Sequence, residues 1–205
     1  MTRDERTEAA GANEWQDTWS QLQVGLQQKQ NELAEFERRS TEFRYLLPSM
    51  VTGLLATPEY VAASLSRFPG DHREAIAKKL ERQAVLRDTS KRFTFILTEQ
   101  AVRWPYLPSP AMAVQLERLA AASLLPSVRL GVIPLSGHMP VAPLNTFTVY
   151  DDQIATVESS TGVMVFRDRR DVAAYLNEFD GYEEYALFGE KARERLASWG
   201  RQFLS

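Results

Sequence analysis

A chain of 205 residues with 44% hydrophobic and 25% charged residues has the balance of a folded globular protein, and it is long enough to bury a substantial core. Its formal net charge of −3 gives no whole-chain positive field to attract nucleic acid or anionic lipid. With no cysteine, disulfides, thiolate catalysis and cysteine-ligated metal centres are excluded.

Residues 1–14, "MTRDERTEAAGANE", are polar and read as a disordered tail without the apolar core of a signal peptide. No stretch approaches the roughly 20 apolar residues of a membrane span, so cytoplasmic residence is the expectation. Residues 15–205 read as one α+β domain in three parts: an all-helical part (15–90), a sheet part (91–170) and C-terminal helices (171–205).

Trp15, Trp19, Leu22, Leu26, Lys29, Leu33, Phe36, Ser40 and Phe43 recur at alternating spacings of four and three, which predicts a long helix with one apolar stripe. That stripe either packs on its own domain or forms a coiled-coil-like arm that meets a partner or a second copy. In "YLLPSMVTGLLATPEY", Pro48 and Gly53 predict a turn-rich connection, and Thr57 followed by Pro58 predicts an N-cap and first helical position. Asp71 and Glu74 have capping-box spacing and start a further helix through about Leu86, with Ile76, Leu80 and Ala84 on one face.

"RFTFIL" predicts a strand, and "TEQAVRWPYLPSP" a short helical or turn segment. A helix follows from about Pro110 to Ser123, burying Met112, Leu116, Leu119 and Ala120, and "VRLGVIPL" is the next strand. Strand, helix and strand in that order imply a parallel crossover. "NTFTVYD", "QIATVES" and "GVMVFRD", separated by "DDQ" and "SSTG", read as an antiparallel meander. The expected fold is thus α+β, with a mixed sheet of about five strands between helical regions, and the last helical stretch is broken near Gly181 and Gly189.

Motifs for chemistry are sparse. The sequence has no GxGxxG, GxxxxGK[ST], GxSxG or HExxH, so nothing in it points to an enzyme, and no metal or cofactor is expected. His138, in the loop of "RLGVIPLSGHMPVAPLNTFTVY", is the one candidate base; His72 sits at a helix start. Asp151 and Asp152 suit a hairpin turn, Glu183 and Glu184 a wet helix face, and Asp168 or Asp171 a helix cap. Glu99, Arg103, Gln115 and Glu158 fall near strand ends or on the helix above a sheet, where polar side chains can converge in a crevice. Glu99 and Arg103 fit better still an i,i+4 ion pair on one helical turn.

"LLPSMVTGLLATPEY" resembles the "P..V.GLLQTPEYA" signature of the uncharacterised domain that follows an Xre-type helix-turn-helix in actinobacterial regulators of the WhiJ kind. The resemblance continues through "ERQAVL", "LTEQAVR", "QLERL", "PSVRLGVIPL", "FTVYDD" and "VESSTG" to "YLNEFDGYEEYAL". Ala56 stands where that family usually has glutamine. The resemblance implies a regulatory or interaction domain of antitoxin-like transcription regulators that binds a small protein partner, and self-association is a further expectation. The residues before Trp15 are too few for a helix-turn-helix, so direct nucleic-acid binding is not expected. The partner surface would be the apolar stripe formed by Trp15, Trp19, Leu22, Leu26, Leu33 and Phe36, or exposed sheet and loop surface. The alternative from a different class is a small-molecule-binding protein or enzyme, with its pocket at the strand ends near Glu99, Arg103, His138 and Glu158.

Overall fold

The strand expected at "RFTFIL" lies near the middle of an eight-stranded mixed sheet, its residues buried on both faces. The structure, a computed structural model, describes residues 14–17, 34–136, 139–140, 142–159 and 162–205. Its strands are β1 (Glu14–Asp17), β2 (Glu42–Leu47), β3 (Arg92–Thr98), β4 (Val128–Ile133), β5 (Thr146–Tyr150), β6 (Ile154–Glu158), β7 (Gly162–Phe166) and β8 (Leu187–Phe188). The helices are α1 (34–39), α2 (Pro58–Leu65), α3 (Arg73–Arg82), α4 (Glu99–Arg103), α5 (Ser109–Ala122), α6 (Arg169–Glu183) and α7 (Gly189–Gln202), with a 3-10 turn at Gln83–Arg87.

The sheet order is β1-β7-β6-β5-β2-β3-β4-β8. β2, β3 and β4 run parallel, and the β3–helix–β4 connection supplies the crossover expected from the sequence. β5, β6 and β7 form the antiparallel meander, joined to the parallel half where β5 pairs with β2. Asp151 makes the first hairpin with a left-handed backbone at φ +51°, and its Oδ1 accepts from the backbone N–H groups of Thr41 (3.0 Å) and Glu42 (2.8 Å). The turn aspartate therefore also anchors the start of β2.

Two cores follow from strand alternation. On one face Phe43, Phe93, Phe95, Leu97, Leu130 and Val132 pack with Met112, Leu116 and Leu119 of α5 and Leu196 and Trp199 of α7. On the other, Leu46, Ile96, Ile133, Phe147 and Val149 meet Val172, Phe179 and Tyr182 of α6. Helices thus cover both faces, the layering expected of a sheet with a buried parallel half.

Several expectations are corrected. The α+β class holds, but among the described residues the sheet has eight strands rather than about five. Residues 15–90 are not all-helical: β2 is a central strand, and residues 14–17 pair antiparallel with β7, Trp15 standing opposite Met164. The predicted helix through Phe43 stops at residue 39, and Phe43 belongs to β2. Glu14 lies in β1, so it is not part of a tail. Trp19, Leu22, Leu26 and Leu33, with the rest of the predicted stripe up to Leu33, lie outside the described residues, as do residues 1–13. Gly181 does not break α6, which runs on to Glu183.

Candidate functional site

The strand that sequence reasoning missed builds the site. β2, β3 and β4 end side by side, and a cavity of about 680 Å³ opens at this carboxyl edge. Tyr45, Thr148 and Tyr150 supply one wall from the sheet; Tyr60, Val61, Ser64 and Leu65 of α2 supply another. The segment after β2 (Pro48 to Ala56) and the loop after β4 (Pro134, Leu135, Met139, Pro143, Leu144) complete it, with Lys79 and Arg82 reaching in from α3.

Local chemistry holds the 48–57 segment in place. Pro48 ends the pairing of β2 because it lacks a backbone donor. Its carbonyl accepts from Thr98 Oγ1 (2.6 Å), and that hydroxyl in turn accepts from Ala101 N (3.2 Å) as the N-cap of α4. Tyr60 Oη accepts from Val51 N (3.1 Å), and Gln83 Nε2 donates to the carbonyls of Gly53 and Ala56, both at 2.8 Å. Thr57 caps α2, accepting from Tyr60 N at 3.3 Å, as the Thr-Pro signature predicts. Four backbone groups of this irregular wall are thereby satisfied by side chains.

The polar side chains beneath this wall form a cluster. Glu37 of α1 and Arg82 make a buried ion pair, in which Arg82 Nε donates to Glu37 Oε2 at 3.1 Å. Beside it stand the phenols of Tyr45 and Tyr150, both raised in pKa, chiefly by burial and further by neighbouring charge and phenol groups, so that both stay protonated donors. Tyr45 is 5% exposed, and neither its hydroxyl nor that of buried Thr156 makes a hydrogen bond of normal geometry. The phenols of Tyr45 and Tyr150 lie against each other in the wall of the cavity.

Among the described residues, those singled out from the sequence do not converge. Glu158, exposed at the end of β6, lines the cavity. Glu99 and Arg103 pair with each other on α4, and Glu99 Oε2 accepts from Leu135 N at 3.0 Å, fastening the loop after β4 from outside the cavity. Gln115 is fully buried: its Oε1 accepts from Thr57 N (2.7 Å) and its Nε2 donates to Leu55 O (3.0 Å). It supports the cavity wall without facing the cavity. His138 lies outside the described residues. His72 Nε2 lies 2.8 Å from Phe68 O, a local contact at the start of α3. Phe36 packs on the core, its ring 5.5 Å from that of Tyr150.

Tyr45, Tyr150, Lys79, Arg82 and Glu37 had no motif to announce them. The usable signal was the placement of Glu37 next to the apolar stripe position Phe36, and of Arg82 between Leu80 and Val85, charges that a helix packed on a sheet must pair.

These features define a mixed α/β domain with a cavity at the carboxyl edge of its parallel strands, held open by side-chain hydrogen bonds. The chain belongs to the family described as "Domain of unknown function (DUF5753)", which matches residues 30–198. Among curated proteins none matches. In fold the chain is similar to TrmBL2, an archaeal chromatin protein, at 12% identity and TM-score 0.44, covering 91% of this chain and 57% of that one. It thus spans little more than half of the archaeal protein's length. It is also similar to NucT from Helicobacter pylori (10% identity, TM-score 0.46, covering 86% and 98%). A third likeness is to Nuc from Salmonella typhimurium, a phospholipase D family member (9%, TM-score 0.48, 87% and 97%). Among the described residues, no helix is long and apolar enough to cross a membrane.

Proposed function

We propose that this chain is a non-enzymatic regulatory domain that receives a small-molecule effector in the cavity at the carboxyl edge of the sheet. The observation that carries this reading is a cavity of about 680 Å³ at that edge, within the roughly 300–1,000 Å³ of small-molecule sites. Its location fits as well, since open α/β sheets take ligands outside the carboxyl ends of their strands.

The transcription-regulator and antitoxin-like setting rests on the sequence resemblance to domains that follow an Xre-type helix-turn-helix. In that setting a small protein partner would read the occupied state. The loop after β4 supports a partner surface, because Leu135 and Leu144 are 68% and 84% exposed on it while also lining the cavity. Occupancy of the cavity would change what that loop presents.

Native mass spectrometry of the protein recovered from cells that produce it should show an added mass of a few hundred daltons, on the order of a drug-sized ligand. Ser64→Trp, which places an indole in the cavity from α2, should abolish that adduct while leaving the fold intact by circular dichroism. A bare mass, together with identical thermal shifts for wild type and Ser64→Trp across a metabolite library, would overturn the reading.

A further inference from the structure

We propose that α5 carries an interface for a second copy of this chain, in which the two α5 helices meet antiparallel about a two-fold axis. None of the residues involved lines the cavity, and the interface stands whether or not an effector binds there. What points to it is the set of side chains that α5 turns to water. A helix laid on a sheet buries one stripe and keeps charged or polar residues on the opposite face. α7, packed beside α5 on the same face of the sheet, does so: Glu190, Lys191, Glu194, Arg195 and Arg201 are exposed. α5 buries Met112, Gln115, Leu116 and Leu119 as a covering helix should. Past Ser109, however, its exposed positions are Pro110, Val114, Glu117 and Ala121, and Leu124 continues the line two residues beyond its end. Val114 and Leu124 are 53% and 67% exposed. Alternating steps of four and three align these five residues along the helix in one stripe, apolar except at Glu117. A contiguous apolar stripe on a wet face marks a surface that another protein covers.

A second copy fits this stripe because the stripe is complementary to itself. In a two-fold contact each pair of residues occurs twice, i of one copy against j of the other and j against i. With the axis beside Glu117 and Arg118, Val114 lies against Ala121 of the second copy and Glu117 against its Arg118. Two apolar layers and two pairs of opposite charge thus follow from one register. Arg118 stands on the flank of the stripe, partly buried, where its Nη2 donates to Gln83 Oε1 at 3.0 Å. A guanidinium has five N–H donors, so that bond leaves others to meet a carboxylate across the axis. A parallel arrangement would instead set Glu117 against Glu117, a like-charge contact that is selected against. A contact made by one helix falls below the roughly 1,200 Å² of stable interfaces, so the association is weak and depends on concentration.

Sedimentation velocity of the full chain over a range of concentrations should show a reversible monomer–dimer equilibrium, with a dissociation constant on the order of tens of micromolar. Val114→Glu and Leu124→Glu should each raise that constant at least about tenfold, with circular dichroism unchanged because both side chains already face water. Glu117→Arg and Arg118→Glu should each weaken the homodimer, and an equimolar mixture of these two variants should form a heterodimer tighter than either variant forms alone. The chain has no cysteine of its own, so Val114→Cys and Ala121→Cys report the orientation. Mixed and mildly oxidised, the two variants should yield the mixed disulfide in preference to either homodisulfide. A monomer at every concentration would overturn the proposal, and so would a dimer indifferent to Val114→Glu and Leu124→Glu, which would lie on another surface. Homodisulfides in excess of the mixed species would overturn the antiparallel arrangement.

Discussion

The ring of Phe188 occupies the space that a β-carbon on Gly131 would need: its Cε1 and Cζ lie 2.5 and 2.7 Å from where that carbon would stand. The two residues face each other across the β4–β8 pairing, and the guanidinium of Arg129 covers the ring at 3.7 Å from its centre. Gly131→Ala should therefore displace Phe188 and cost about 1–3 kcal/mol in urea unfolding. In a Phe188→Ala background the same change should cost under about 1 kcal/mol, because the conflict is then gone. Equal costs in both backgrounds would refute the packing argument.

The Glu37–Arg82 pair is buried at 4% and 16% side-chain exposure and ties α1 to α3. Arg82→Met strands a carboxylate away from water and should lose about 3–5 kcal/mol. Glu37→Met with Arg82→Met should recover most of that loss, since an apolar pair replaces an ionic one. The midpoint and slope of urea denaturation for the three proteins decide the matter.

Gln115 satisfies two backbone groups of the cavity wall. Gln115→Leu keeps the bulk and removes both bonds, leaving Thr57 N and Leu55 O buried without partners, at a cost of about 2–4 kcal/mol. Amide exchange should accelerate at Thr57 first. Unchanged protection there would show that the segment holds itself.

Glu99→Ala should free the amide of Leu135 and speed its hydrogen exchange, along with that of the loop after β4. Global stability should fall by less than about 1 kcal/mol, because Arg103 is close to half exposed and regains water. A loop as protected as in wild type would remove Glu99 as its fastener.

Alkaline pH probes the buried phenols. Burial pushes Tyr60 up to about 12, and Tyr45 and Tyr150 are also raised. In the unfolded chain these groups lose their protons near pH 10, so folding keeps protons that the unfolded state has released. The stability that Tyr60 contributes is complete below about pH 10 and is lost as pH rises through about 12. Absorbance at the tyrosinate band should show exposed tyrosines titrating first and the buried ones only on unfolding. Tyr60→Phe should shift the alkaline midpoint upward.

How much was legible in the sequence follows from how each element is buried. The meander and β3 announced themselves through alternation and turn residues, and the caps at Thr57 and Asp168 could be read directly from residue type. β2 was hidden because its alternation is brief: Glu42, Phe43, Arg44 and Tyr45 alternate, but Leu46 and Leu47 are both buried, and Phe43 happens to continue the helical spacing of Phe36. β8 is only two residues long and carries no pattern. Glu99 and Arg103 admitted two readings, and only tertiary structure could reveal that Glu99 also holds Leu135, 36 positions away. The cavity escaped because Tyr45, Lys79 and Tyr150 come from segments far apart in the chain, a juxtaposition that local spacing does not encode.

The position of β2 bears on how the chain is made. During synthesis residues 42–47 leave the ribosome long before either neighbour in the sheet, since β3 begins at Arg92 and β5 at Thr146. This apolar strand therefore waits with both edges open, then with one, until about residue 150 has been translated. A ribosome stalled between β3 and β5 would display a nascent chain with a half-paired hydrophobic strand, the form most exposed to capture by chaperones.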